Sequence, residues 1–225
     1  MGTLFKNDLT YLKKDPMTLI CLFIPVIMLI AYRVVLIRLN FLQSFLPYIK
    51  YLFVAMLVIT SGMGVGFRVL DDKDENMLRF YAISPIGLKG YFFYRVIVSL
   101  GISLIGSLTL ILGIDISLNS LGKIMIILQI LLLTPLALGV LTIVCKNKIQ
   151  GLTFMKFSSL ILIVPFLRIL GESTFTKWFF IVPSDTLYCL MLKEQVEIGT
   201  YSLSLIVLLA IEVWLFGSKM KKIID

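Results

Sequence analysis

The stretch PYIKYLFVAMLVITSGMGVGF, residues 47–67, decides the fold. It has about the twenty residues that a helix needs to cross roughly 30 Å of hydrocarbon at 1.5 Å per residue. Its apolar residues run on continuously instead of alternating, which favours a membrane helix over a barrel strand. Gly62, Gly64 and Gly66 fall inside it, and no Gly-Lys-Ser/Thr follows, so this is not a phosphate-binding loop. Small residues that let helices approach closely are the reading that fits.

Five further runs resemble it, giving candidate spans Met17–Ile37, Pro47–Phe67, Lys89–Leu112, Leu121–Cys145, Gly151–Leu170 and Thr200–Gly217. The whole chain agrees: 225 residues, 59% hydrophobic and 15% charged, where a soluble domain carries about a quarter charged residues. The first run is too long for a signal-peptide core, lacks a small-residue cleavage site and precedes other spans, so it reads as retained. The expected fold class is therefore all-α, a polytopic membrane protein forming a single transmembrane domain, 1–225. An even span count puts both termini on one side. That side collects about twice as many Lys and Arg residues as the other, Lys13, Arg68, Lys73, Arg79, Lys148 and Lys219 among them, so both termini are expected in the cytoplasm. Arg33 and Arg38 fall at the outer end of the first span, where long side chains can snorkel. The net charge of +8 then reflects topology and anionic headgroups, with no need for nucleic acid.

Residues 1–15 place Phe5, Leu9 and Leu12 at helical spacing, with charges elsewhere and Pro16 as a break. This reads either as an interfacial helix on the inner leaflet or as a plain flanking charge cluster. The catalytic inventory is nearly empty. The absence of histidine excludes His-based catalysis and ligation. Cys21, Cys145 and Cys189 lack ligand spacing, so no metal is expected. The chain has no ATPase site of its own and is not expected to be an enzyme.

The hydrophilic loop 68–87 is more informative. Asp71, Asp72, Asp74 and Glu75 precede Met77, Leu78, Tyr81 and Ala82, and Ser84-Pro85 follows. Acidic residues favour a helix first turn, and the apolar positions share a face. By sequence physics this is either a short helix that docks on a partner or a solvated loop with some helix in it. The string Asp72-Lys73-Asp74-Glu75-Asn76-Met77-Leu78, with Ser84-Pro85-Ile86 beyond, resembles the acidic–basic–acidic, Thr-Leu, Thr-Pro-Leu pattern between the second and third spans of exporter-type ABC permeases, the ABC type-2 permease family. Asn76 and Met77 replace the usual Gly-Thr, and Asn tolerates unusual backbone angles. Trp178 and Pro183 after the fifth span match the same family, and among its members the chain looks most like half-size drug-export permeases such as fluoroquinolone exporters.

The resemblance implies a half-transporter. Two permease copies, identical or paralogous, pair in the membrane, and separate ATPase subunits carrying ATP and Mg bind below. The ATPase-coupling candidates are Asp72, Asp74, Glu75, Met77, Leu78 and Tyr81, with Pro85 fixing the path into the third span. Residues 171–199 hold two apolar patches too short to span, which fit re-entrant helices at the outer face or a plain outer loop. Family resemblance makes Trp178 and Pro183 outer-gate candidates. A path along the dimer interface implies contacts from Phe53, Met56, Ile59, Met63, Phe154, Phe157 and Leu160.

Arg95 and Glu212 fall at similar depths, about 8–9 Å inside the inner boundary at helical rise. They are expected either to pair, locking the third and sixth spans, or to snorkel separately. The functions that remain are the permease of an ATP-driven exporter for a hydrophobic drug, peptide or lipid-like compound, or a stand-alone secondary transporter or channel.

Overall fold

A computed structural model describes residues 8, 10, 15–38, 45–114, 116, 118–160, 164–166, 183–192 and 198–218. Among them the chain is helical, with no strand. The helices are α1 (Pro16–Arg38), α2 (Leu46–Asp74), α3 (Met77–Ile83), α4 (Gly87–Gly113), α5 (Ser120–Val144), α6 (Lys148–Ser158), α7 (Pro183–Leu192) and α8 (Ile198–Ser218). Four of these, α2, α4, α5 and α8, are long and apolar enough to cross a membrane. The first expected span is helical across Pro16–Arg38, with Phe23–Val34 apolar. The fifth is described as the short helix α6, and residues 167–182, Trp178 included, lie outside the described residues. So does most of the expected interfacial helix, 1–15.

The hub is α2, which packs against α1, α3, α4, α5, α6 and α7. In a lipid setting the apolar effect does not drive helices together, so close van der Waals fit must. The three glycines supply it. A Cβ on Gly62 would stand 2.5 Å from the Thr134 carbonyl oxygen and 2.9 Å from the Ala137 Cβ, both on α5. One on Gly66 would meet Leu141 Cδ2 at 2.7 Å, and one on Gly64 would meet Cys21 Cβ of α1 at 2.9 Å. The Gly62 and Gly66 face therefore seats α5, and Gly64 seats α1. Ser61 Oγ faces Thr134 Oγ1 at 3.4 Å across the same seam.

Buried hydrogen bonds join α5, α7 and α8. Gln129 of α5 lies 3.3 Å from Thr186 of α7 and 3.4 Å from Ser204 of α8, and Thr186 and Ser204 are 3.2 Å apart. The ten-residue α7 is too short to span, and its residues 184–191 are buried, Tyr188 meeting Tyr51 of α2 edge-on at 5.3 Å. Arg33 donates to the Gly113 carbonyl at 2.9 Å, a cation at the C-terminus of α4 where the helix dipole favours one.

One boundary differs from the sequence expectation. The second span does not stop at Phe67 but continues as helix to Asp74, about 10 Å further at 1.5 Å per residue. Nothing between Phe67 and Asp74 breaks a helix; the break comes at Asn76, which takes a left-handed conformation, φ 58°. Asparagine tolerates that angle better than most residues.

Candidate functional site

The site is built where α2 ends, α3 crosses and α4 begins. Because α2 runs on, Asp71, Asp72 and Asp74 stand in its last turn, and no acidic residue occupies the first turn of α3. The expectation that these acids stabilise the start of the short helix is thus corrected. At a helix C-terminus a carboxylate is unfavourable, and here basic partners offset the penalty.

Asp72 is wholly buried. Its Oδ2 accepts from Arg95 Nη2 at 2.9 Å and from the Tyr91 hydroxyl, and its Oδ1 pairs with Arg68 Nη2 at 2.9 Å, one helical turn earlier. Asp8 closes the cluster from the N-terminal segment, meeting Arg95 Nη1 at 2.7 Å, Arg68 Nε at 3.6 Å and the Tyr94 hydroxyl at 2.8 Å. Two arginines face two aspartates, so the buried group is neutral as a whole. Arg95 also lies over the rings of Tyr91 and Tyr94, 4.9 and 5.5 Å from their centroids, a favourable place for a desolvated guanidinium.

Arg95 and Glu212 are not brought together. Both guanidinium nitrogens that bond carboxylates go to Asp8 and Asp72, and Glu212 forms no ion pair among the described residues. Arg95 faces the α2 side of its helix and not α8.

A second charged group lies beside the first. Lys148 Nζ bridges Asp71 at 3.0 Å and Asp15 at 3.3 Å, while its amide donates to Asp74 Oδ2 at 3.1 Å. Asp74 therefore satisfies a free amide at the start of α6, alongside Asn147, which accepts from Gln150 N. Burial alone would pull the Lys148 ammonium down; hydrogen bonds and charges from Asp71 and Asp15 outweigh it and leave the pKa raised.

The seven residues of α3 have two different faces. Leu78 and Tyr81 point into the protein and pack with Val69, Tyr91, Phe92 and Tyr94. Tyr81 stacks on Tyr91, centroids 4.5 Å apart and planes 18° from parallel. Burial, and secondarily the Asp72 carboxylate, raises the Tyr81 phenol pKa, so it stays neutral. Outward go Arg79, Phe80, Ala82 and Ile83, with Phe80 60% and Ile83 85% exposed. Glu75 and Pro85 are exposed and Met77 is half-buried. The sequence reading gave Phe80, Ile83, Asp8, Arg68 and Tyr91 no role in this site.

The family model described as "Fluoroquinolones export permease protein Rv2686c-like" matches residues 8–218. The chain belongs to this family. No curated protein and no solved structure matches it. The charged cluster and α3 thus lie in a multi-pass export permease. Both ends of the matched region are in the bundle, since Asp8 bonds Arg95 and α8 packs on α5. The remaining expected positions of this permease scatter. Ile59 and Met63 are buried, Met63 sulfur accepting from Ser158 at 3.6 Å. Phe53 and Phe154 are half-buried, Phe53 edge-on to Tyr32 at 6.4 Å. Met56, Phe157 and Leu160 are exposed. Pro183 starts α7, and nothing in the described residues tests it as a gate.

Proposed function

We propose that this permease is the membrane subunit of an ATP-driven ABC-type exporter, moving a hydrophobic drug, peptide or lipid-like compound outward on energy from separate ATPase subunits. ATP and Mg sit on those partners. The end bearing Asp71–Asp74 and α3 faces the cytoplasm, and two copies, identical or paralogous, pair in the membrane of a bacterial cell. The path at their interface involves Phe53, Met56, Ile59, Met63, Phe154, Phe157 and Leu160, closed outward near Trp178 and Pro183.

The observation that carries this reading is the division of labour in α3. Its outer face offers Phe80, Ile83 and Arg79 to a groove on the ATPase. Its inner face is rooted by Leu78 and by Tyr81, stacked on Tyr91. Tyr91 bonds Asp72, which holds Arg68 of α2 and Arg95 of α4, and Arg95 holds Asp8 of the N-terminal segment. A push on α3 thus reaches three segments through rigid rings and desolvated ion pairs. Asp74 and Glu75 at the α2 end and Pro85 before α4 set the height at which α3 is held. The family description supports drug export as the cargo class.

The test is to purify the tagged protein in detergent and assay ATP hydrolysis in what copurifies. A stoichiometric ATPase is expected, lost in Phe80→Asp and Ile83→Asp while both variants elute like the unmodified protein. Recovery of the intact permease with no ATPase from its native membrane would refute the reading and leave a stand-alone transporter or channel.

A further inference from the structure

Glu212 stands about 9 Å before the end of α8 by helical rise, inside a helix long and apolar enough to cross a membrane. Its Oε1 is buried and has no hydrogen-bond partner among the described residues, while the Leu136 main chain bonds its carboxyl group. The counter-ion expected for it, Arg95, is committed to Asp8 and Asp72. An acid inside such a helix with no ion-pair partner among the described residues is costly, which makes it a marker of a ligand or ion route.

Glu212 lines a groove between α4, α5 and α8 with a volume of about 900 Å³, at the upper end of the usual range for small-molecule sites. Among the described residues its lining is apolar except for Glu212 and Lys89. Phe93 and Phe216 supply rings, and Phe93 is exposed on the outer side of α4, so the groove opens sideways out of the bundle. Lys89 is the third residue of α4 and exposed, so it lies at the water boundary where its field is screened within about 8–10 Å. The deeper carboxyl group is not screened in this way. A phospholipid would put its headgroup charges at the Lys89 level and bare acyl chain against Glu212, which leaves the acid unanswered.

We infer that this groove binds an amphiphilic organic cation, taken up sideways from the membrane, with its positive centre at the Glu212 carboxyl group and its rings against Phe93 and Phe216. Cation–ring attraction adds to the ion pair. The inference deepens the permease reading by naming a substrate class, and rests on it only for the outcome of binding, since binding itself needs no ATPase.

The test uses the full chain, purified in detergent, with tetraphenylphosphonium as the permanent cation and triphenylphosphine oxide as its neutral companion. Saturable tetraphenylphosphonium binding is expected, with the neutral compound about tenfold or more weaker, the factor that 1.4 kcal/mol represents. Glu212→Gln should weaken the cation by about the same factor, Glu212→Asp should retain most of it, and the neutral compound should be little affected by either. Gly101 lies in the lining and an added Cβ would meet nothing within 4 Å, so Gly101→Phe fills the groove and weakens both probes. Equal binding of the two probes by the unmodified chain overturns the inference whether or not any variant folds. So does unchanged cation affinity in Glu212→Gln, leaving a lipid-chain groove. Charge-selective binding without a copurifying ATPase would sink the exporter reading alone; an ATPase partner without charge selectivity would sink this site alone.

Discussion

Arg95→Met removes one of the two cations from a buried, neutral four-charge cluster. Arg95 is 2% exposed and Asp72 fully buried, so the carboxylate left behind has no access to water. Breaking a buried pair by deleting one partner costs about 3–5 kcal/mol. Asp72 keeps Arg68 at 2.9 Å and the Tyr91 hydroxyl, which places the electrostatic loss at the lower end, about 3 kcal/mol. The guanidinium's place over Tyr91 and Tyr94 adds about 1 kcal/mol. The expected total is about 4 kcal/mol, readable as the shift in an SDS-titration unfolding curve. Asp72→Leu alone should cost a similar amount. The double variant restores charge balance, leaving Arg68 with Asp8, so it should be better than the sum of the singles by about 2–3 kcal/mol. Additivity of the two to within about 0.5 kcal/mol would refute the cluster as the source of stability. The same design separates the two candidate partners of Arg95: Arg95→Met and Glu212→Gln, which do not touch, should add, and a coupling between them would reinstate the pairing that depth alone suggested.

Lys148→Met should destabilise by about 1–2 kcal/mol at neutral pH, because it strands Asp71 and Asp15 in part-buried surroundings. The sign with pH follows from the raised ammonium pKa: the stabilisation is complete below the ordinary value of 10.5 and is lost only as pH climbs through the higher folded value. The gap between the two proteins should thus stay flat through the neutral range and close in alkali; a gap that stays unchanged into strong alkali contradicts the bridge. Gly62→Ala should cost about 1–3 kcal/mol, since its Cβ meets a carbonyl oxygen at 2.5 Å on α5 and a backbone cannot swing aside. Gly101→Ala, with open space around the new methyl, should be neutral or stabilising by up to about 1 kcal/mol in the same assay. Equal effects at the two sites would refute the glycine seam between α2 and α5.

How far the sequence reached, and where it stopped, follows from what hydropathy measures. An apolar run reports that a helix lies in hydrocarbon, so α4, α5 and α8 begin and end within two residues of the expected spans. A string of glycines in such a run reports close approach, and the Cβ distances at Gly62, Gly64 and Gly66 agree. Neither signal reports azimuth. Arg95 could be placed at a depth, but every acid on the surrounding helices at that depth was an equal candidate. The choice of Asp72 and Asp8 over Glu212 depends on which face of α4 turns toward α2, and the seating of neighbouring helices decides that. Asp72 was further concealed because Asp71–Asp74 resembles the start of a loop; the spacing of four between Arg68 and Asp72 is a local helix signal, but Arg95 and Lys148, which complete the pairing of these acids, come from other segments. The short helix α3 has the same ambiguity on a smaller scale. In seven residues, Leu78 with Tyr81 and Phe80 with Ile83 form two apolar edges, and periodicity cannot say which is core and which is surface. Tyr91 decides it: its ring gives Tyr81 a stacking partner, and its hydroxyl is held by Asp72. The buried cluster therefore does more than neutralise charge at the end of α2; it sets the rotation of α3 and so determines that Phe80 and Ile83 are the side chains turned outward.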